Sequence, residues 1–312
     1  MNTLSKIFIN PRENRVYPVW TVIASTVIVY ILAFELLPAS LNFIPNDYVF
    51  NLFFEIALFV VVVPMIYLFA RFADKRNLTD LGLSLNSDWL KDFGGGMLIG
   101  TIIIVIVFVT EYSLGWVKVT GYFYSRNNLN FGMELLGRFF GYFLVAYMEE
   151  IFSRGYLIKN IAEGFSHRFS AKQSVMFALI ISSIIFGVLH GANPNSSFIS
   201  SLNLIFIGGL YGYSYLMRGS LAFPIGVHFM WNFVEGNIFG FPVSGFQPEV
   251  SVLSIEQLGS EYWTGGQFGP EAGALIFPAL ICGFFMTRMW FRMRLGSAKR
   301  NLNIAYYERT TP

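Results

Sequence analysis

Cysteine occurs once in the 312 residues, as Cys282. No intramolecular disulfide can form, and a single thiol in an apolar run reads as a small packing residue. Charge is scarce as well. Asp, Glu, Lys and Arg make up 13% of the chain, where soluble domains carry roughly 25%. A soluble fold with so little charge would lack the polar surface to cover itself, so the expected solvent is lipid. The net charge of +2 leaves no electrostatic footprint for nucleic acid. No repeat of fixed period, no low-complexity tract and no linker between soluble domains is visible. A cleavable signal, with its short apolar core and small-residue cleavage site, is also missing. The first apolar run starts after Pro18, behind Lys6, Arg12 and Arg15, and is expected to be a retained span.

What the chain does have is apolar and aromatic: 54% and 18% of residues, with a mean hydropathy of +0.55. A helix needs about 20 mostly apolar residues to cross the hydrocarbon core. Eight stretches qualify: Val19–Leu37, Val49–Ala70, Phe93–Trp116, Leu135–Leu157, Ser174–His190, Phe198–Met217, Leu221–Gly240 and Ala272–Phe291. The expectation is an all-α, polytopic transmembrane helical bundle of about eight spans. Positive charge tests the count. With alternate connections assigned to one side, 17 of the 21 Lys and Arg residues fall on the side of both termini. The other side has Lys118 and Arg126, with Arg138 close by, and Phe241–Gln267 contains no Lys or Arg at all. Lys and Arg mark cytoplasmic loops. The expected location is therefore the cell membrane, multi-pass, with both termini cytoplasmic. Phe241–Gln267 is the longest external loop and a candidate cap on the outer face.

An ionisable residue within a span is costly and points to function. Glu35, Glu55, Glu111 and Glu235 are each the only carboxylate of their span, mostly near a helix end, and read as snorkelling or interfacial groups. The fourth span differs. It holds Glu149, Glu150 and Arg154 together. Glu150 and Arg154 are four apart and can pair on one face, while Glu149, rotated by about 100°, stays available as a base. A Glu–Arg pair locking helices together would explain Glu150 and Arg154 but not Glu149. Two histidines also lie in spans. His190 ends the fifth, in Phe186-Gly-Val-Leu-His190, and His228 lies in the seventh, one turn before Asn232. A lone membrane histidine more often makes a helix–helix hydrogen bond; two, with an aligned Asn and a Glu pair, strain that explanation. His167 lies in a basic turn and is expected to be solvated. Counting residues at 1.5 Å each brings the groups together only if the hairpin of spans four and five protrudes into the cytoplasm, with the site nearer the cytosol. Small residues, among them Gly141, Gly155, Ser182, Ser183, Gly187, Gly208, Gly209 and Gly212, are expected to let spans four to six approach closely.

Glu149-Glu150-x-x-x-Arg154, Phe186-x-x-x-His190 and His228-x-x-x-Asn232, in this order on separate spans, resemble the motifs of the CPBP family. That family includes type II CAAX prenyl endopeptidases, Abi proteins and relatives of lysostaphin-resistance protein A. The resemblance covers about Leu135–Gly240. It implies an intramembrane peptidase core in 135–240; the apolar stretches outside it give three N-terminal helices in residues 1–134 and an external loop, last span and tail in 241–312. It implies Glu149 as the base that activates water, His190 as its partner, and His228 and Asn232 as oxyanion donors. Glu150, Arg154 and Phe186 would support them. The substrate would be a membrane peptide or protein. Zinc held by Glu149, His190 and His228 is chemically open; the Asn232 amide favours a metal-free reaction. A non-catalytic binding or immunity protein of the same fold and a proton-coupled transporter are the competing classes. The internal repeats common in transporters are missing.

Overall fold

The computed structural model describes residues 5–127 and 129–310. They form an all-helical bundle with two small antiparallel ribbons. The long helices are α1 (Pro18–Leu41), α2 (Asp47–Ala73) and α3 (Ser87–Ser113). They are followed by α4 (residues 131–166), α5 (Ala171–Leu189), α6 (Phe198–Arg218), α7 (residues 222–238) and α8 (Ile276–Leu295). Several begin at side-chain caps. Asn46, Asn86 and Asn130 accept from the backbone N–H three residues on, and Ser170 and Ser197 form capping boxes, satisfying donors the first turn leaves free. α6 ends at Gly219, whose φ of 75° only glycine adopts readily.

Each of the eight expected stretches contains a helix. Four of these helices, α1, α2, α3 and α5, are long and apolar enough by length and composition to cross a membrane. The other four are less apolar, and α7 shows why that is possible. It is buried almost throughout, with Ala222–Phe229 and Trp231–Asn237 all inside. A helix enclosed by other helices needs no apolar belt facing lipid. The chain is a multi-pass membrane protein whose inner helices are shielded by its outer ones.

α7 lies against α3 with three glycines interleaved. A Cβ on Gly96 would collide with the Phe223 carbonyl, one on Gly226 with the Phe93 carbonyl, and one on Gly100 with the Val227 carbonyl. The backbones are thus in contact, as small residues permit in membranes. Gly100 lies thirteen residues from either end of α3. The neighbouring His228 therefore lies beside the middle of α3.

Strands were not foreseen. β1 (Val117–Ser125) pairs antiparallel with β2 (Val250–Gln257), from within the loop after α7. The second ribbon is short, Ile9–Asn10 with Arg15–Val16. Among the described residues, the expected surface carboxylates are also mostly inside: Glu55, Glu111 and Glu235 are buried, and only Glu35 is exposed. Glu55 pairs with Arg138 at 2.7 Å, its carboxylate lying over the bare backbone of Gly141.

At the end of the bundle that carries both termini, Glu163 binds Arg15 at 2.7 Å and Arg76 through both oxygens. Burial alone would push the Glu163 carboxyl up, but Arg76, Arg15 and Lys159 hold it below its ordinary range. Tyr307 packs its ring 3.8 Å from the Arg15 guanidinium, and Asn301 donates to the Leu216 carbonyl at 2.7 Å. The tail is strapped down over the turn between α6 and α7.

Replacing Gly226 by Val should cost roughly 1–3 kcal/mol through overpacking, read as a lowered Tm in detergent. Gly209→Ala should leave Tm unchanged, because nothing lies within 4 Å of the Cβ it would add.

Candidate active site

Glu149 and Glu150 end the first α-helical part of α4; Ile151–Ile158 is π-helical, and the α-helix resumes at Lys159. α7 does the same just beyond Asn232, becoming π-helical over Val234–Ile238. Such stretches are rare and cluster at functional sites. Here they adjoin two of the three motifs.

Glu150 is completely buried. Its Oε1 accepts from Arg154 at 3.0 Å and lies 2.9 Å from His228 Nδ1. Arg154 also donates to the Gly208 carbonyl of α6 at 3.1 Å and lies over the Phe186 ring at 4.3 Å. The expected pair thus exists, and it does more than pair. It joins α4, α5, α6 and α7. Of the expected small-residue contacts, Gly208 faces this arginine, Gly187 faces the Ser201 carbonyl, and Ser182 donates to the Ser153 carbonyl at 2.6 Å. Gly209 is the exception and packs against nothing.

Glu149 turns the other way. Its Oε2 lies 3.8 Å from His190 Nε2 and 3.9 Å from His228 Nε2, and has no hydrogen-bond partner among the described residues. A water at about 2.9 Å from each of two atoms bridges such a gap. Both imidazoles are oriented from behind. His190 Nδ1 donates to the Phe186 carbonyl at 2.8 Å, and His228 Nδ1 donates to Glu150. In each ring it is Nε2 that faces Glu149. The side chain of Asn232, one turn beyond His228, lines the same cavity and hydrogen-bonds to no described residue. Glu149, Glu150, Arg154, Phe186, His190, His228 and Asn232 are therefore all brought together. His167 lies elsewhere, half-exposed beside Glu13.

The cavity measures about 370 Å³. From Glu149 it follows one face of α4 past Val145 and Tyr142 to Arg138, bounded by Phe34 of α1 and by Phe54 and Leu58 of α2. Its far end is charged: Arg138 meets Glu55 and, at 3.9 Å, Glu249. Glu249 had been assigned to an exposed loop and is instead buried.

Three neighbours of the site carried no sequence signal. Tyr211 stacks on the His228 ring at 4.9 Å; one tyrosine among sixteen has nothing to mark it. Glu271 accepts from both the N–H and the hydroxyl of Ser244, at 2.8 and 2.6 Å, and so holds the Val243–Phe246 turn that roofs the cavity. Burial pushes the Glu271 carboxyl up; the Ser244 hydrogen bonds and the two histidines counter this in part. Asn193 secures the same turn through the Ser244 carbonyl at 3.0 Å.

Glu149, His190 and His228 are chemically a His₂Glu donor set. Donors around tetrahedral zinc stand about 3.4 Å apart, so these are about half an ångström too wide. No group of three His, Cys, Asp or Glu among the described residues closes on an ion.

No curated protein and no solved structure matches the chain. Residues 131–234 match a family model described as Type II CAAX prenyl endopeptidase Rce1-like, a segment that contains all seven residues gathered here. Over that segment, a third of the chain, the sequence is similar to the CPBP-family intramembrane proteases.

Proposed function

We propose that this protein is an intramembrane endopeptidase that hydrolyses a peptide bond of a membrane-associated peptide or protein, using water activated by Glu149. Residues 135–240 are its catalytic core. The observation that carries the reading is the unpartnered Glu149 Oε2 facing both imidazole Nε2 atoms at 3.8 and 3.9 Å on the wall of one cavity.

Tautomers suggest the division of labour. With Nδ1 committed to a carbonyl, neutral His190 has a lone pair on Nε2. A water that gives one hydrogen bond to Glu149 and the other to His190 turns an oxygen lone pair toward the substrate carbonyl. Glu149 takes the proton as the C–O bond forms. With Nδ1 donating to Glu150, His228 would also donate into the cavity when Nε2 carries a proton. Together with the Asn232 amide it supplies the donors for the oxyanion. Glu149 then returns its proton to the leaving amine as the C–N bond breaks. The scheme needs no ion. If zinc were bound, Glu149, His190 and His228 would hold it and it would acidify the water.

The orientation we propose puts both termini on the cytoplasmic side, because the basic residues gather at the end of the bundle that carries them. In a Cys282→Ser background, a cysteine at Ser297 should be labelled by an impermeant maleimide only after the cells are opened. Labelling in intact cells would reverse the orientation.

Glu149→Gln should lower turnover by about 10²–10⁴-fold and Asn232→Ala by about 10²–10³-fold, mainly in kcat, with both proteins inserting and folding normally. Peptide termini compared between cells carrying the active protein and the Glu149→Gln variant should reveal the substrate. Identical termini would reduce the protein to a non-catalytic binder. Purified protein should retain its activity after exhaustive chelation. Loss with zinc-specific recovery would instead place a metal between the three side chains.

A further inference from the structure

A second groove lies on the outside of the bundle, away from the catalytic cavity. It measures about 470 Å³, in the size range of ligand-holding sites. Its walls come from three helices: Met176 and Leu179 of α5, Tyr213 of α6, and Phe284 of α8. Tyr213 and Phe284 close its back, with ring centroids 5.5 Å apart. Its floor is bare where Gly209, packed against nothing, exposes the backbone of α6.

One end differs. Arg288 of α8 and Arg300 of the tail line it, both exposed. Neither side chain has an ion-pair or hydrogen-bond partner among the described residues. Elsewhere at this end of the bundle arginines are matched: the buried Arg15 and Arg76 by Glu163, and the partly exposed Arg218 and Arg294 by Asp88 and Asp92. Lys172, Arg292 and Lys299, also exposed, belong to the same end. From there the apolar floor runs inward. Gly209 lies nine residues before Arg218 on α6, about 14 Å deeper.

Two unmatched cations at the rim of the bilayer and an apolar trough leading inward complement one class of molecule. We propose that this groove binds an anionic phospholipid, with its phosphate between Arg288 and Arg300 and an acyl chain over Gly209. Basic pockets between membrane helices bind acidic headgroups in this manner. The site does not depend on the peptidase reading. It shares no residue with the catalytic cavity.

The test uses full-length protein purified in detergent and native mass spectrometry with phosphatidylglycerol and phosphatidylcholine of identical chains. Wild type should retain one phosphatidylglycerol, preferred about 25-fold. Arg288→Gln and Arg300→Gln should each reduce the preference about fivefold, and the double variant should abolish it. Gly209→Leu, which fills the trough and leaves both arginines in place, should lose the retained lipid at an unchanged Tm. Equal retention of the two lipids by wild type would overturn the proposal. So would retention indifferent to Gly209→Leu, or glycerol phosphate competing as well as the intact lipid, since either result would leave only a surface charge effect.

Discussion

Everything in the proposed catalytic cavity hangs on one carboxylate at the meeting point of the helices. Glu150 is fully buried and takes its hydrogen bonds from Arg154 of its own helix and His228 of α7. Arg154 carries the connection on to the α6 backbone and the Phe186 ring. Removing one member of a buried ionic group typically costs 3–5 kcal/mol, because the charge left behind has no solvent. The knot can therefore hold four helices in a single register. Glu149 follows directly in its wake. It is one residue away on the same helix, so fixing Glu150 toward α7 fixes Glu149 about 100° away, toward the cavity. Paired carboxylates, one structural and one available, are a means of placing a base within a membrane without leaving its direction to chance.

The helices that supply these groups are the ones least suited to meeting lipid. α4 includes five charged residues between Glu134 and Arg154, and α7 is a single buried column. α7 is possible because the surrounding helices enclose it, while α1, α2, α3 and α5 are long and apolar enough to span a membrane. The close approach of α3 and α7 through Gly96, Gly100 and Gly226 then supplies contact area that polar side chains on α7 do not.

This arrangement also determines what could be read from the chain. The three motifs were legible because each keeps its chemistry within one helix, at spacings of one residue or one turn: Glu149 with Glu150 and Arg154, Phe186 with His190, His228 with Asn232. Helix positions were legible from apolar length. Partnerships between helices were not. Glu55 looked interfacial because its partner Arg138 lies 83 residues away, and nothing in either segment names the other. Glu249 looked exposed for the same reason. β1 and β2 were missed because their pairing spans two separate loops. The docking of the tail carried no signal either, because counting residues inward from a turn does not show what covers that turn. The α6–α7 turn is covered by the tail, with Ile304 and Ala305 buried.

The roof of the cavity was the least legible part and bears most directly on how water and substrate share the site. Val243 and Phe246 bond to each other across Ser244 and Gly245, both in the left-handed region at φ 47° and 92°. Such a two-residue turn favours Asn-Gly; a serine there costs on the order of 1 kcal/mol. The conformation persists because its surroundings over-determine it. Glu271 takes both Ser244 donors, while Asn193 and Asn195 hold the carbonyls of Ser244 and Gly245. With donors and carbonyls held from two sides, the turn is a fixed wall and not a flap. Elsewhere α1 borders the cavity through Phe34. There α1 is π-helical over Leu32–Leu36, followed by Pro38, and has no buried residue from Leu32 to Leu41. The roof turn is thus fixed by hydrogen bonds from several segments, whereas the α1 border of the cavity, over that stretch, has no buried residue of its own.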